Sequence, residues 1–242
     1  MPTIYLSPST QEYNLYYGGG TEEDYMNRIA AAMEPTLRSS GIQFVRNNPA
    51  EKVEEAIAAS NQGRYDLHLA IHSNAAPKPL AGKLQGTDVY MHPLNACGNR
   101  AAALIAEQFE KIYPDAEKVK TMPTETLREI AEVKAPSVLV EVAYHDNSED
   151  AAWIKSHVDQ IAEALCAYFD VPYATPCILD NARVDCCRGS LNVLHKPDAG
   201  AAVVDTLENR APLHIIGECG KWYVVELDGR TGYVKKRYVA SG

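Results

Sequence analysis

Two stretches of this sequence each carry an ionisable side chain inside an otherwise apolar run. In Asp66-Leu67-His68-Leu69-Ala70-Ile71-His72-Ser73-Asn74-Ala75, the apolar residues Leu67, Leu69 and Ile71 alternate with His68, Ala70 and His72. That is a strand's period of two, and it puts both histidines on one face. In Pro136-Ser137-Val138-Leu139-Val140-Glu141-Val142-Ala143-Tyr144-His145-Asp146-Asn147, the hydrophobic run is broken by Glu141. A carboxylate there is costly unless it is paired, hydrogen-bonded or functional. A lone histidine in such a strand is more often a hydrogen-bonded core residue, and that reading is preferred for His68 over a supporting role at a site. A carboxylate and an imidazole in two such strands point to convergence on one metal or one substrate. Open α/β sheets hold their ligands at the carboxyl ends of strands, which is where His72 falls.

The rest of the chain supplies the elements that must position them. Residues 3–6 read as a first strand. Thr21 is a good N-cap, and Glu22, Glu23 and Asp24 fill a first helical turn, where acids suit the helix dipole; the helix runs to about Ser39 and Gly41 stops it. A strand at 42–46, a helix at 50–62 and the strand at 66–72 follow. A Pro/Gly/Lys-rich loop at 77–85 precedes a strand at 87–92 and a helix at 99–113. Residues 118–134 are mixed, with a helical piece near 125–131. A strand at 138–142 and a last helix at 150–168 complete the body. The alternation predicts an α/β domain over residues 1–170, a mostly parallel sheet flanked by helices.

Pro172 and Pro176 mark a linker at 171–177. Over 178–242 the helical period disappears. Short strands at 191–194, 202–207, 213–218, 222–227 and 231–234 are punctuated by Gly217, Cys219-Gly220 and Asp228-Gly229, the last being the strongest hairpin signal. This predicts a small all-β barrel.

Composition narrows the function. The chain has 242 residues, 46% hydrophobic and 23% charged, as in an ordinary globular protein. Its net charge of −9 is uneven. Residues 178–242 hold nine Lys/Arg and eight Asp/Glu, or +1; the remaining fourteen and twenty-four leave −10 on residues 1–177. So acidic a body argues against tracking nucleic-acid phosphates. No apolar run approaches the ~20 residues of a membrane span. The N-terminus shows no signal-peptide pattern, so synthesis in the cytoplasm is expected. The cysteines Cys97, Cys166, Cys177, Cys186, Cys187 and Cys219 include no C-x-x-C pair, and reduced thiols are expected.

The body resembles the zinc-dependent N-acetylmuramoyl-L-alanine amidases of the amidase-3 type. The Asp66–Ala75 stretch looks like the family's Asp-Leu-x-x-Ser-Ile-His-Ala-Asn block, whose histidine binds zinc. The Ser137–Asn147 stretch looks like the block holding the catalytic glutamate. Glu23-Asp24-Tyr25-Met26-Asn27 resembles the start of the first helix, where a glutamate four residues before an asparagine is a zinc ligand. The resemblance therefore implies Zn2+ held by His72 and Glu23, with Glu141 as catalytic base. One departure stands out. The family's first strand ends Asp-Pro-Gly-His-Gly, with a zinc-binding histidine. Here the run is Leu6-Ser7-Pro8-Ser9-Thr10-Gln11, with Thr10 on the histidine. Gln11 is a candidate metal ligand through its amide oxygen, although amides are poor zinc ligands, and His92 is an alternative that could fill the gap.

The C-terminal part resembles a bacterial SH3 (SH3b) domain. Leu191-Asn192-Val193 with Pro197 looks like the family's opening, with Leu194 in place of its arginine. Gly220-Lys221-Trp222-Tyr223-Val224-Val225, Gly232-Tyr233-Val234 and Tyr238 continue the pattern. Such modules usually bind cell-wall peptides. Together the resemblances imply an endolysin-like peptidoglycan hydrolase that is made in the cytoplasm and acts at the wall. It would cut the amide between N-acetylmuramic acid and L-alanine with zinc-activated water. The alternatives are another zinc peptidase on wall stem peptides, or a non-catalytic wall-binding protein that lost zinc with its first histidine.

Overall fold

The computed structural model describes residues 2–168, 174–186, 189–228 and 230–241. They fall into two compact units: Thr3–Met33 with Phe44–Tyr168, and Met1–Pro2 and Glu34–Gln43 with Phe169–Gly242. Among the described residues, no helix is long and apolar enough to cross a membrane.

In chain order the larger unit is built from β1 (Thr3–Pro8), α1 (Glu22–Ser39), β2 (Gln43–Arg46), α2 (Val53–Ser60), β3 (Leu67–Asn74), β4 (Thr87–Met91), α3 (Ala96–Ile112), β5 (Val119–Pro123), α4 (Arg128–Ala131), β6 (Ser137–Tyr144), α5 (Ser148–Ser156) and α6 (Val158–Leu165). Six strands form one sheet in the order β2-β1-β3-β6-β4-β5. The pairs β1/β3, β3/β6 and β4/β5 are parallel, and β4 and β6 run antiparallel. The expected mostly parallel α/β sheet is therefore present. Leu67, Leu69, Ile71, Val138, Val140 and Val142 are fully buried, as central strands covered on both faces require.

Register decides which side chains share a face. Tyr5 pairs with His68, Ser7 with Ala70, Ala70 with Leu139, and His72 with Glu141. From the other side Glu141 pairs with Asp88 of β4. Since neighbours in register point the same way, Ser7, His68, His72, Glu141 and Asp88 line one face. The short α4 covers it, with Ile130 packed on Ala70 and Leu139.

Three differences from expectation have clear causes. Residues 119–123 form the edge strand β5, which only β4 pairs and in which Val119 alone is buried, so it lacks an alternating pattern. The expected helix at 150–168 divides at His157, which leaves helical geometry at φ −123° and ψ 24° while stacking on Trp153. Helix α3 begins at Ala96 because the Asn95 side chain accepts from Gly98 N at 2.9 Å and caps it.

The second unit carries β7 (Thr175–Val184), β8 (Ser190–Leu194), β9 (Val203–Glu208), β10 (Pro212–Cys219), β11 (Trp222–Leu227), β12 (Arg230–Lys235) and β13 (Val239–Ala240). They form one seven-stranded sheet in the order β13-β7-β10-β11-β12-β8-β9, consistent with an SH3-like domain. Five of these strands match the expected ones. Strand β7 begins inside the stretch that the prolines mark as linker; Val171, Pro172 and Tyr173 lie outside the described residues, as does Cys187. Pro176 is tolerated because it pairs only with Gly217 of β10, beyond the reach of β13. A bulge places Asn181 at φ +68° between the Leu179 and Ala182 pairings, which hides the strand's period. At the expected hairpin, Leu227 pairs with Arg230 and Asp228 has φ +46°; Gly229 lies outside the described residues. The barrel core gathers Val184, Leu191, Val193, Leu213, Ile215, Val225 and Val234.

The same unit includes the last turn of α1 and its exit. Gly41 ends the helix at φ +73°, a conformation that suits glycine. Ser39 Oγ donates to Ala174 O at 2.6 Å, Tyr233 OH to Ser40 O at 3.0 Å, and Thr231 Oγ1 to Gly41 O at 3.1 Å.

Candidate active site

At the carboxyl end of β3 the His72 ring lies between two carboxylates. Its Nδ1 is 2.9 Å from Glu22 Oε1 and its Nε2 is 2.9 Å from Glu129 Oε2. A carboxylate only accepts, so both ring nitrogens donate in this arrangement. The two partners raise the imidazole's pKa well above its ordinary value, against the opposing pull of burial.

Glu22 comes from the first turn of α1, where Thr21 Oγ1 accepts from Asp24 N and caps the helix. Only 1% exposed, it accepts 2.5 Å from Asn14 Nδ2 and 3.3 Å from Ser73 N. Burial works to raise its pKa, but the His72 hydrogen bond and charge, with bonds from Asn14 and Ser9, hold the carboxyl below the usual range. Glu23 is displaced from this position. One residue is a 100° step around a helix, and Glu22, Met26, Ile29, Met33 and Leu37 form the buried stripe. The asparagine four residues on, Asn27, donates to the backbone carbonyl of Glu23 at 2.8 Å, not to its carboxylate.

Glu129 was not anticipated. It is 3% exposed, and its Oε1 takes 2.5 Å and 3.1 Å hydrogen bonds from Ser7 Oγ and His68 Nε2. Burial pushes its pKa up, yet the bonds and charges of His68 and His72 hold it well below the ordinary carboxylate range. His68 is fully buried as expected, stacked on Tyr5 and 2.9 Å from Ser60 Oγ through Nδ1. It also touches the site by way of Glu129.

Glu141 sits beside His72 in register, and its Oε2 is shut off from solvent with no hydrogen-bond partner. Its pKa is pushed up to about 7, chiefly by burial; the His72 charge opposes this, while Glu22, Asp88 and Glu129 add to it. Asp88, also unanticipated, accepts from Asn74 Nδ2 at 3.4 Å. Burial raises its own pKa.

Gln11 does reach the site: its Nε2 is 3.4 Å from His72 Nδ1, and its Oε1 accepts from Tyr13 OH and Asn14 Nδ2, both at 3.1 Å. His92 goes elsewhere, its Nδ1 accepting from Leu94 N at 3.2 Å and its Nε2 lying 4.0 Å from Glu125. His145 and Asp146 shape the flanking loops. Asp146 accepts from Ala76 N and Gly82 N, and His145 Nδ1 lies 2.8 Å from Ser73 O.

Among the described residues, no three His, Cys, Asp or Glu side chains are grouped to hold a metal ion. The strong donors facing one another are two, Glu22 Oε1 and His72 Nδ1. With bonds of ~2.0–2.1 Å, two ligands of a tetrahedral zinc lie about 3.3 Å apart, close to the 2.9 Å found here. The orphaned Glu141 Oε2 beside them marks a missing polar partner. The residues thus fit a divalent metal held by one carboxylate and one imidazole; the Gln11 amide lies nearest after them, but it turns its nitrogen toward His72 and its oxygen toward Tyr13 and Asn14, so its oxygen would reach a metal only after the amide turns over. That set is weaker than one with a second imidazole.

The family profile described as N-acetylmuramoyl-L-alanine amidase matches residues 10–168, and the bacterial SH3 domain profile matches residues 189–240. No curated protein matches the chain. Among solved structures, the chain is similar to the N-acetylmuramoyl-L-alanine amidase AmiC2 of Nostoc punctiforme, with 19% identity and a TM-score of 0.58 over 68% of this chain and 92% of that one. It is similar to the catalytic domain of the CD27L endolysin targeting Clostridia difficile, with 19% identity and a TM-score of 0.55 over 69% and 96%. It is also similar to Ami1 of Mycobacterium smegmatis, with 18% identity and a TM-score of 0.58 over 69% and 94%. These likenesses carry the fold, and the profile, covering well over half of the chain, carries the kinship: the chain belongs to the N-acetylmuramoyl-L-alanine amidase family.

Proposed function

We propose that this amidase is zinc-dependent and cuts the bond between N-acetylmuramic acid and L-alanine in peptidoglycan, with Glu22 and His72 as the strong metal ligands, Gln11 as the weak third and Glu141 as general base and acid. The observation that carries the reading is the orphaned, near-neutral carboxylate of Glu141 next to the facing donors of Glu22 and His72. When bound there, zinc supplies Lewis acidity, which makes water nucleophilic near neutral pH and polarises a carbonyl. Glu141 takes the proton of the attacking water and delivers it to the departing alanine nitrogen. A carboxyl with a pKa near 7 is suited to both transfers. Asp88 acts on Glu141 as a like charge that favours its protonated form.

The barrel is proposed to hold the enzyme on the wall. A groove of about 320 Å³ on it is lined by Trp222, Tyr238, Lys235 and Arg237 among others. Tyr233 is buried, whereas Trp222, under the Lys235 ammonium, and Tyr238, bonded to Arg237, are half-buried and line the groove. With a wall-acting substrate, this reading also proposes that the protein acts outside the membrane after synthesis in the cytoplasm.

Purified cell walls test the catalytic reading. Turbidity should fall with the zinc-loaded protein, stop on chelation and resume on adding zinc. Clearance unaffected by complete removal of the metal would end the zinc assignment.

A further inference from the structure

Behind His72, on the side away from Glu22, a second carboxylate is built into the site without reaching its open side. Glu129 is held by three donors at once: Ser7 Oγ at 2.5 Å, His68 Nε2 at 3.1 Å and His72 Nε2 at 2.9 Å. These come from β1 and β3, and α4 brings the carboxylate down onto them with Ile130 as its apolar anchor on Ala70 and Leu139. His68 is fixed in turn by Ser60 Oγ and by its stack on Tyr5, with ring centroids 5.3 Å apart and planes 8° apart. The two histidine partners of Glu129 are therefore each held from a second side, His68 by Ser60 and Tyr5 and His72 by Glu22. Burying such a carboxylate is costly, and a histidine in an apolar core needs no ionised partner.

We propose that Glu129 is a positioning residue: it holds the proton of His72 on Nε2, so that Nδ1 alone is presented to Glu22 and the metal. The inference rests on the zinc reading above. An imidazole has two nitrogens, and which one binds a metal is set by the hydrogen bond the other makes. Here Nε2 is committed to Glu129 and Nδ1 is the nitrogen that faces Glu22 and Gln11. The arrangement stiffens the one imidazole ligand of a site in which Gln11 offers only an amide. His68 and Ser7 serve by keeping the Glu129 carboxylate oriented.

The test uses the full chain and reads the ring and the metal rather than turnover. In 15N-histidine spectra of the wild type, His72 should keep a slowly exchanging Nε2 proton both without and with zinc, while the Nδ1 resonance moves on loading. Zinc affinity, by competition with a chelating dye, should fall about 10- to 100-fold in Glu129→Ala. It should fall less in Glu129→Gln, whose amide oxygen still accepts from Nε2. Glu132→Gln, at the C-cap of the same short helix but paired with Arg128 at the surface, should bind like the wild type. Metal bound through Nε2 of His72, or a folded Glu129→Ala with wild-type affinity, overturns the proposal. If Glu129→Ala does not fold, the wild-type spectra and Glu129→Gln decide, and equal affinity of Glu129→Gln and Glu132→Gln with no protected Nε2 proton is the overturning result. A wild type that takes no zinc refutes the metal reading alone; the Nε2 proton of the metal-free ring then still shows whether Glu129 holds it.

Discussion

Glu22 Oε1 stands 2.9 Å from His72 Nδ1, joining the first turn of a helix to the end of a central strand fifty residues away. The strand supplies rigidity and the helix start supplies a favourable place for a carboxylate, since its dipole is positive there. Removing the Glu22 carboxylate by Glu22→Gln should lower zinc content sharply, while Glu23→Gln should leave it unchanged. Metal analysis of the two purified variants separates them, and equal loss in both would mean that the helix presents a different face.

The weak third donor gives a prediction of opposite sign. Gln11→His replaces an amide with an imidazole at a position whose side chain already lies 3.4 Å from His72 Nδ1. Zinc should be held about tenfold or more tightly, because imidazole is the better ligand. Gln11→Ala should bind more weakly than wild type. Titration against a competing chelator ranks the three proteins, and a Gln11→Ala protein equal to wild type removes Gln11 from the ligand set.

Glu141→Gln keeps the shape of the side chain and removes its basicity. Turnover should drop by about 10²–10⁴ with zinc content intact, the range typical of losing general acid–base assistance. Steady-state hydrolysis of a soluble muropeptide, beside metal analysis, measures both. A variant that keeps most of its turnover would assign the base elsewhere.

The smaller unit carries a stability prediction. Tyr233 is 3% exposed and its hydroxyl donates to Ser40 O, so Tyr233→Phe should cost about 1 kcal/mol and leave hydrolysis unchanged. Gly217→Ala should cost more, because the new Cβ would lie 2.5 Å from Ser39 O. Thermal denaturation reads both, and an unshifted midpoint for Gly217→Ala would contradict the close approach. The same contacts imply that a chain cut at residue 170 loses partners of the α1 terminus, so it should melt at a lower temperature than the full protein.

The sequence made the central strands legible because they are long enough to show their period, and His72 and Glu141 could be found as ionisable intruders in it. The glutamate of α1 was also within reach. Counting back from Asn27 selects Glu23, but the apolar stripe Met26, Ile29, Met33 leads to Glu22, and the stripe is what packing obeys. Glu129 had no such signal: it lies in a helix of four residues, too short for any period, and its partners are 57 to 122 positions away. Strands β5 and β7 were missed for related reasons. The first is an exposed edge strand, and the second is interrupted by Pro176 and the bulge at Asn181.

The central claim is the bond that is cut, and product analysis tests it most directly. Purified walls digested with the zinc-loaded protein should release peptides with a free N-terminal alanine, and glycan strands with intact muramic acid and no new reducing ends. The Glu141→Gln protein should release neither. New amino groups arising only from residues within the stem peptide, or new reducing ends on the glycan, would contradict the account.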